Sequence, residues 1–280
     1  MLKSITKLVW DLSYNTNYFK GKERIVSFFT RPRALNLITI SRQGVSWSFL
    51  GHDLNEFAIA VRKNHSPLLS STLSDEISKY KINTFWDIGA NIGAITLPLL
   101  HKFTNLEATL FEPSAEVAGR LIRNVANNPN LCSRATILNV ALSDSEGINN
   151  FYVSNESFNS GVAGLGHSHN RYKFSVGVQT YTGDSLIESK KYDPPQLIKI
   201  DVEGFELEVL KGLKNTLLQF HPTIIFEHSL YRFKERNQSK DSVVKFLESL
   251  GYKIYDLLDN GMSKNLDLDR DADFIARYVV

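Results

Sequence analysis

The chain has 280 residues, and its 32 Lys and Arg residues against 30 Asp and Glu residues give a formal net charge of +2. This length suits one large α/β domain with an appendage, and the balanced charge gives no reason to expect nucleic acid as a partner. The single cysteine, Cys132, cannot form an internal disulfide and fits a reducing compartment, so we expect a cytoplasmic protein. We expect no signal peptide or membrane-spanning segment, because Asp11 and Ser13 interrupt the apolar N-terminus.

Residues 1–65 are predicted to form an N-terminal extension. Residues 2–12 have the spacing of a short amphipathic helix, which can dock on the protein body or contact a partner or a membrane surface. Two alternating runs within residues 37–49, split by a glycine turn, predict a β-hairpin. A helix that begins at Ser66-Pro67 then leads into the main region, and we assign residues 66–280 to one α/β domain.

The motif Asp87-Ile88-Gly89-Ala90-Asn91-Ile92-Gly93 lies between a short apolar run and apolar residues at helical spacing, which predicts a strand, a tight turn and a helix. The two glycines let the backbone approach a ligand closely, and the helix N-terminus offers unpaired N–H groups. Asn91 stands where a dinucleotide-binding motif has its second glycine, which speaks against a bound pyrophosphate. An acid at the strand end suits a cationic amino group, and the helix N-terminus suits a carboxylate. S-adenosylmethionine carries both groups.

Two further strands are predicted to end beside the same ligand. Residues 108–111 form a buried strand that ends at Glu112, 25 positions after Asp87, where doubly wound folds bind the hydroxyls of a ribose. Residues 135–142 form the third strand, and we expect the loop at its end, with Ser143 and Asp144, to lie beside an adenine. These positions together indicate a ligand with a nucleoside part.

Residues 154–172 form a long segment rich in Ser, Asn, Gly and His, between strands predicted at residues 151–153 and 176–180. Segments of this length without secondary structure are usually functional or disordered, and we predict a substrate lid. His167 and His169 have no acid or cysteine nearby, so we interpret them as solvated histidines and predict no metal site there.

The fourth and fifth strands end in ionisable residues. The fourth leads to Asp201 and Glu203, and the fifth leads to Glu227 and His228. Parallel strands end at one edge of a sheet, where open α/β sheets bind their ligands, so we expect these side chains to converge. The last two strands are joined without a helix, which predicts an antiparallel pair at the sheet edge.

Several motifs together give the chain a resemblance to a known family. They are, in chain order, the run from Asp87 to Gly93, Glu112-Pro113, Ala141-Leu142-Ser143-Asp144, Ile198-Lys199-Ile200-Asp201-Val202-Glu203-Gly204-Phe205-Glu206, Leu210-Lys211-Gly212 and Pro222 to Glu227. With this set the chain resembles the FkbM-type methyltransferases over roughly residues 66–258. The resemblance implies a class I methyltransferase fold, a Rossmann-like α/β fold with a seven-stranded, mostly parallel sheet and an antiparallel C-terminal strand. It also implies S-adenosylmethionine as the cofactor and O-methylation of a hydroxyl on a sugar, a glycan or a secondary metabolite.

The resemblance further implies roles for individual residues. Asp87, Gly89, Asn91 and Gly93 would hold the methionine part of S-adenosylmethionine, Glu112 its ribose, and Ser143 or Asp144 the edge of its adenine. Methyl transfer to a hydroxyl also requires an aligned acceptor and removal of its proton. From the residues at the strand ends, we predict that Asp201 and Glu203 position the acceptor and that Glu227 or His228 takes the proton. His228 suits a base because an ordinary histidine has a pKa of about 6.5.

Alternatives remain open at this point. Asp201, Glu227 and His228 can instead ligate a divalent cation such as Mg²⁺ in a metal-dependent sugar O-methyltransferase. His228 can also simply cap its strand by a hydrogen bond to the backbone. At the level of function, the alternatives are a catalytically inactive module that binds S-adenosylmethionine and a nicotinamide-dependent dehydrogenase, against which the absence of glycine at position 91 speaks.

Overall fold

The computed structural model describes residues 2–16, 26, 37–49, 54–61, 66–154, 164–165, 172–258 and 261–279. The N-terminal elements are helix α1 (Leu2–Asn15), strands β1 (Ile38–Arg42) and β2 (Val45–Phe49), helix α2 (Leu54–Val61) and helix α3 (Pro67–Tyr80). The turn between β1 and β2 places Gln43 and Gly44 in the left-handed region, with φ of 52° and 76°, as a two-residue hairpin turn requires. The predicted N-terminal helix and hairpin are confirmed.

The first half of the α/β region alternates strands and helices. Its elements are β3 (Thr84–Ile88), α4 (Thr96–Lys102), β4 (Glu107–Phe111), α5 (Ala115–Ala126), α6 (Pro129–Cys132) and β5 (Ala135–Leu138). Phe85 to Ile88 are all buried, which is typical of a parallel strand covered on both faces. Helix α5 begins where the hydroxyl of Ser114 accepts a hydrogen bond from the N–H of Val117.

A second, smaller sheet follows, formed by β6 (Ala141–Leu142), β7 (Gly147–Ser154), β8 (Gly164–Leu165) and β9 (Tyr172–Tyr181) in the order β6-β9-β7-β8. The prediction of one strand over residues 135–142 was therefore wrong. The side chain of Asn139 donates hydrogen bonds to the carbonyls of Glu112 and Pro113, at 2.7 and 3.0 Å, and the strand breaks there. Of the predicted lid, residues 155–163 and 166–171, with His167 and His169, lie outside the described residues.

The second half of the region completes the large sheet. Its elements are α7 (Gly183–Glu188), β10 (Leu197–Ile200), α8 (Glu206–Gly212), α9 (Lys214–Phe220), β11 (Thr223–His228), α10 (Leu230–Glu235), α11 (Ser242–Ser249), β12 (Tyr252–Leu258), β13 (Gly261–Ser263) and β14 (Ala272–Tyr278). None of the helices within the described ranges is both long and apolar enough to span a membrane.

The large sheet has the strand order β13-β12-β14-β11-β10-β3-β4-β5. Neighbouring strands from β11 to β5 are parallel, whereas β14 lies antiparallel between β11 and β12. These seven strands and the antiparallel position of the last one are as predicted. The short strand β13 extends the sheet by one strand at the β12 edge.

Successive residues of each strand point to opposite faces of this sheet, and each face has its own apolar core. Phe85, Ile225 and Ile275 belong to the core beneath the N-terminal elements and helices α3 to α6. Ile224, Phe226 and Phe274 belong to the core beneath helices α7 to α11. This alternation determines which ionisable side chains at the strand ends share a face.

The N-terminal hairpin packs directly against the α/β region. The backbone N–H of Ser46 donates to Asn128, and that of Ser48 donates to Asn124, at 2.8 and 3.0 Å. Both asparagine side chains are buried and also bond to backbone carbonyls. The division of the chain at residue 65 into two domains stays a prediction.

Candidate active site

A cavity of about 330 Å³ opens at the carboxyl ends of β3, β4, β10 and β11. Its apolar wall includes Phe111, Val140, Leu142 and Phe151. Its polar lining includes Gly89, Asn91, Glu112, Lys199, Asp201, Glu203 and Glu227. The strand ends of the large sheet and strands β6 and β7 of the small sheet therefore line one pocket, at the edge where open α/β sheets bind ligands.

The turn after β3 forms the floor of this cavity. Gly89, Asn91 and Gly93 all have positive φ values, of 83°, 51° and 87°. Gly93 does not line the cavity, so its predicted contact with the methionine part is corrected. The N–H groups of Gly89 and Ala90 both bond to the carbonyl of Phe111, which fixes the turn on the neighbouring strand. A Cβ atom at Gly89 would lie 1.9 Å from the carbonyl oxygen of Asp201, so glycine is required there both for its dihedral and for this close approach.

We expect Gly89→Ala to lower the free energy of unfolding by about 3 kcal/mol or more, because the added methyl group overlaps backbone that cannot rotate away. Gly119→Ala is the matched control. A Cβ atom at Gly119 meets nothing within 4 Å, and this exposed helical position should gain up to about 1 kcal/mol. Urea denaturation of both variants checks this, and a Gly89→Ala variant as stable as the wild type would contradict the turn geometry.

Glu112 follows β4 and lines the cavity, as expected for the residue predicted to bind a ribose. Its two carboxyl oxygens accept hydrogen bonds from the N–H groups of Asn91 and Ser114, at 3.0 and 2.9 Å. The side chain is 7% exposed, and burial raises its pKa to about 7, against the lowering effect of these two hydrogen bonds and of Lys199. The carboxyl group is therefore held in one orientation, with further lone pairs for a ligand.

Asp87 does not line the cavity, and its predicted contact with the methionine part of the ligand needs correction. The carboxylate is 1% exposed. One oxygen accepts the hydroxyl of Thr96, and the other lies 3.1 Å from Nζ of Lys199. Because the neighbouring strand places this lysine beside it, Asp87 faces an internal cation and does not contact the cavity itself.

The carboxyl groups at the ends of β10 and β11 meet as predicted. Asp201, Glu203 and Glu227 all line the cavity. Burial, together with the like charges of Asp201, Glu203, Glu206 and Asp273, raises the pKa of Glu227 to about 9. Asp273 lies directly opposite Glu227 in the β11–β14 pair, and burial together with Asp201 raises its pKa to about 6.

Glu203 is held in place by an arginine. Arg232 donates from Nε at 2.8 Å, and also from Nη2, to one carboxyl oxygen of Glu203. Burial raises the pKa of Glu203, and Arg232 opposes this effect. Glu203 also has φ of 57°, an uncommon value for a residue other than glycine, so the loop after β10 turns sharply here.

Glu206 anchors the same loop after β10. One carboxyl oxygen of Glu206 accepts the N–H groups of Val202 and Gly204, at 3.2 and 3.1 Å. Glu206 is 3% exposed, and burial raises its pKa to about 7. The loop that carries Asp201 and Glu203 is therefore held by Glu206 and by the contact of Glu203 with Arg232.

His228 is not in the cavity, and its predicted role as a base is corrected. Adjacent residues of a strand point to opposite faces, so Glu227 and His228 cannot both face one pocket. His228 is fully buried against Phe233 and Phe274, and Nε2 lies 3.2 Å from the carbonyl oxygen of Leu268. Burial lowers its pKa. The alternative in which His228 bonds to the backbone at its strand end agrees with this geometry.

The proposed Mg²⁺ ligands are separated for the same reason, because His228 lies on the other face from Glu227 and Asp201. Among the residues that the structure describes, no group of three or more His, Cys, Asp or Glu side chains is arranged to hold a metal ion.

Ser143 and Asp144, predicted at the adenine edge, do not line the cavity. Ser143 is 8% exposed and its hydroxyl lies 3.4 Å from Asp144, which points into solvent. The carbonyl of Ser143 instead packs against Gly212, where a Cβ atom would lie 2.0 Å from that oxygen. The short strand β6 places Ala141 and Leu142 in the wall, so the surroundings for a purine are apolar.

Sequence reasoning missed Lys199, Phe151 and Asp273. Lys199 gave a signal, because it is the one charged residue in the apolar run from Leu197 to Ile200. Phe151 lies in the predicted strand over residues 151–153, but the packing of the second sheet on the cavity was not evident from its sequence. The position of Asp273 depends on the register of β14 against β11.

A family comparison agrees with this geometry. The methyltransferase FkbM domain matches residues 87–254, more than half of the chain. The chain therefore belongs to the FkbM methyltransferase family. The predicted family, the class I methyltransferase fold and the enzyme class of a methyltransferase are confirmed.

Comparison with curated proteins gives a relative from an archaeon. The hexuronic acid methyltransferase AglP of Haloferax volcanii is 33% identical over 147 residues, which are 52% of this chain and 56% of AglP. The chain thus spans about half the length of the curated relative it matches.

Solved structures with a similar fold are more distant. Methyltransferase FkbM from Methylobacillus flagellatus KT is 19% identical with a TM-score of 0.48, over 70% of this chain and 44% of that one. An O-methyltransferase from Bacillus cereus, in complex with SAH, is 15% identical with a TM-score of 0.46, over 100% of both chains.

Proposed function

We propose that this chain transfers the methyl group of S-adenosylmethionine to a hydroxyl of a sugar, and that the sugar is a hexuronic acid or a glycan that contains one. Membership of the FkbM methyltransferase family supports the donor. The name of AglP, a hexuronic acid methyltransferase, supports the class of acceptor. The observation that carries the proposal is one cavity lined by Glu112 on one side of β3 and by Asp201 and Glu227 on the other.

The residues of the cavity suit the parts of S-adenosylmethionine. The carboxyl group of Glu112 suits the two ribose hydroxyls, because it is oriented by backbone N–H groups and retains acceptor capacity. Phe111, Val140 and Leu142 offer an apolar surface to the adenine. The carboxylate of Asp201, at the acidic end of the cavity, attracts the positive charges of the amino and sulfonium groups.

The acidic residues would also perform the proton transfer. When bound, S-adenosylmethionine supplies an electrophilic methyl group, and the carbon–sulfur bond breaks with its electron pair left on sulfur. Asp201 and Glu203 hydrogen-bond the acceptor and orient its hydroxyl oxygen toward that carbon. As the new carbon–oxygen bond forms, the carboxylate of Glu227 takes the hydroxyl proton.

The high pKa of Glu227, about 9, has two consequences for this role. In the ligand-free protein at neutral pH the group is mainly protonated. A cationic donor beside it favours the ionised form, and a carboxylate with a raised pKa is a stronger base than an ordinary one. Glu227 is therefore ionised, and able to accept a proton, when the donor is bound.

Transfer of a labelled methyl group from S-adenosylmethionine tests the proposed function. Glucuronic and galacturonic acid, free and within short oligosaccharides, are the first acceptors, and the matching neutral hexoses are the controls. We expect label in a sugar product that survives mild alkali, because a methyl ether is stable there and a methyl ester is hydrolysed. Labelled product that alkali removes would contradict transfer to a hydroxyl, and label in no sugar would contradict the class of acceptor.

A further inference from the structure

Lys199 carries a buried charge, and none of the reaction steps proposed above involves it. It lies in the middle of β10, between two buried isoleucines, and is 4% exposed. Among the described residues that line the cavity, it is the one lysine or arginine. A lone cation in an apolar strand is costly unless its partners compensate for lost hydration, so its partners indicate what it does.

The ammonium group of Lys199 has three donor hydrogens and three acceptors. Nζ lies 3.1 Å from Oδ1 of Asp87, 3.2 Å from the carbonyl oxygen of Gly89 and 3.4 Å from Oδ2 of Asp201. These acceptors belong to β3, to the glycine turn and to the end of β10. One side chain thus joins the floor of the cavity to the carboxylate at its acidic end.

The carboxylates of Asp87 and Asp201 differ in exposure, and this difference indicates which of them Lys199 positions for a ligand. The Asp87 side chain is 1% exposed and reaches only internal partners, whereas that of Asp201 is 43% exposed and lines the cavity. Asp87 therefore balances the charge of Lys199 inside the protein. The contact with Asp201 holds one oxygen of that carboxylate and leaves the other for a ligand.

We infer that Lys199 is a positioning residue. It fixes the carboxylate of Asp201 at the cavity edge relative to the glycine turn. The inference rests on the proposed function, in which Asp201 orients the acceptor. It adds that the acceptor and donor sides are aligned through this ammonium group, because the same group holds the turn at Gly89.

Lys199 is not a proton carrier in this role. Burial lowers its pKa, but the charges of Asp87 and Asp201 raise it well above the ordinary value of a lysine. The ammonium group is therefore cationic throughout the neutral range, and its N–H groups remain available to donate hydrogen bonds. A change of pH near neutrality therefore leaves the charge of Lys199 in place.

A double-mutant cycle on turnover tests the inference, with S-adenosylmethionine as donor and glucuronic acid oligosaccharides as acceptor. The variants are Lys199→Met, Asp201→Asn and their combination. If Lys199 acts through Asp201, the combination should lose no more turnover than Asp201→Asn alone, about a hundredfold. Multiplied losses in the combination would show a separate structural role and overturn the inference.

Lys199→Met leaves Asp87 buried without its cation, so this variant can fail to fold. In that case the cycle is run in an Asp87→Asn background, which serves as the reference protein. The Lys199→Met, Asp87→Asn variant then replaces Lys199→Met, because it removes both buried charges. Melting curves and calorimetric binding of S-adenosylhomocysteine establish that each variant is folded and has a donor site.

A crystal structure of the Lys199→Met, Asp87→Asn variant with S-adenosylhomocysteine gives a readout that needs no acceptor. The inference expects the Asp201 carboxylate to leave its wild-type position, and an unchanged carboxylate overturns it. Failure of the proposed function has a different signature, because the wild-type protein would then methylate no sugar while the displacement of Asp201 in the variant could still be observed.

Discussion

Glu227→Gln is expected to lower turnover about a hundredfold, because the amide cannot take a proton from the acceptor hydroxyl. The substitution keeps the shape of the side chain and removes one of several crowded acids, so the protein should fold and bind S-adenosylhomocysteine. Steady-state kinetics with a methylatable sugar, at saturating donor, checks the loss. Glu248→Gln makes the same chemical change at an exposed position on α11 and should have wild-type turnover.

The competing assignment of the base is tested in the same assay. His228→Gln should retain turnover in whatever fraction folds, because the ring faces the core beneath α10 and not the cavity. Full activity of Glu227→Gln would remove Glu227 as the base. A hundredfold loss in folded His228→Gln would contradict the separation of these two side chains onto opposite faces.

Glu112→Gln is expected to weaken binding of S-adenosylhomocysteine by about tenfold or more at pH 8, because a carboxylate bonds to two ribose hydroxyls more strongly than an amide. The product is the better probe here, since it shares the ribose with the donor and is not consumed. Isothermal titration calorimetry measures the affinity of the wild type and the variant. Equal affinities would contradict the placement of the ribose at Glu112.

The pH dependence of this affinity provides a second test of Glu112. Burial raises the pKa of this carboxyl group to about 7, so most molecules hold a proton there at pH 6 and few do at pH 8. Ribose hydroxyls bind preferentially to the ionised form, and binding therefore releases a proton below pH 7. Affinity should rise about tenfold per pH unit well below pH 7 and level off above it, and Glu112→Gln should remove this rise.

The strand ends of the cavity were predictable because each is marked in the sequence. A buried apolar run followed by a polar residue located Asp201 and Glu227, and the parallel order of β10 and β11 brought them together. The face on which a side chain lies can also be read from the sequence, because successive residues of a strand point to opposite faces. Ile225 and Glu227 therefore lie on one face and Phe226 on the other. The same period, continued by one residue, turns His228 away from the face of Glu227, so the strand pattern alone excludes this histidine from the cavity.

Other features depended on which strands are neighbours. Asp87 was expected to face a ligand, but the cation beside it comes from β10, 112 residues further along the chain. Asp273 approaches Glu227 only through the antiparallel register of β14. The division of the third strand depends on hydrogen bonds from the Asn139 side chain to Glu112 and Pro113. No local pattern of hydrophobic residues reports these long-range contacts.

A crystal structure of the protein with S-adenosylhomocysteine is the decisive measurement. The ribose hydroxyls should lie about 3 Å from the carboxyl oxygens of Glu112. The adenine should lie against Phe111 and Leu142, and the sulfur should face the end of the cavity that carries Asp201 and Glu227. A ligand bound outside this cavity, or bound within it with its ribose turned away from Glu112, would contradict the proposed site.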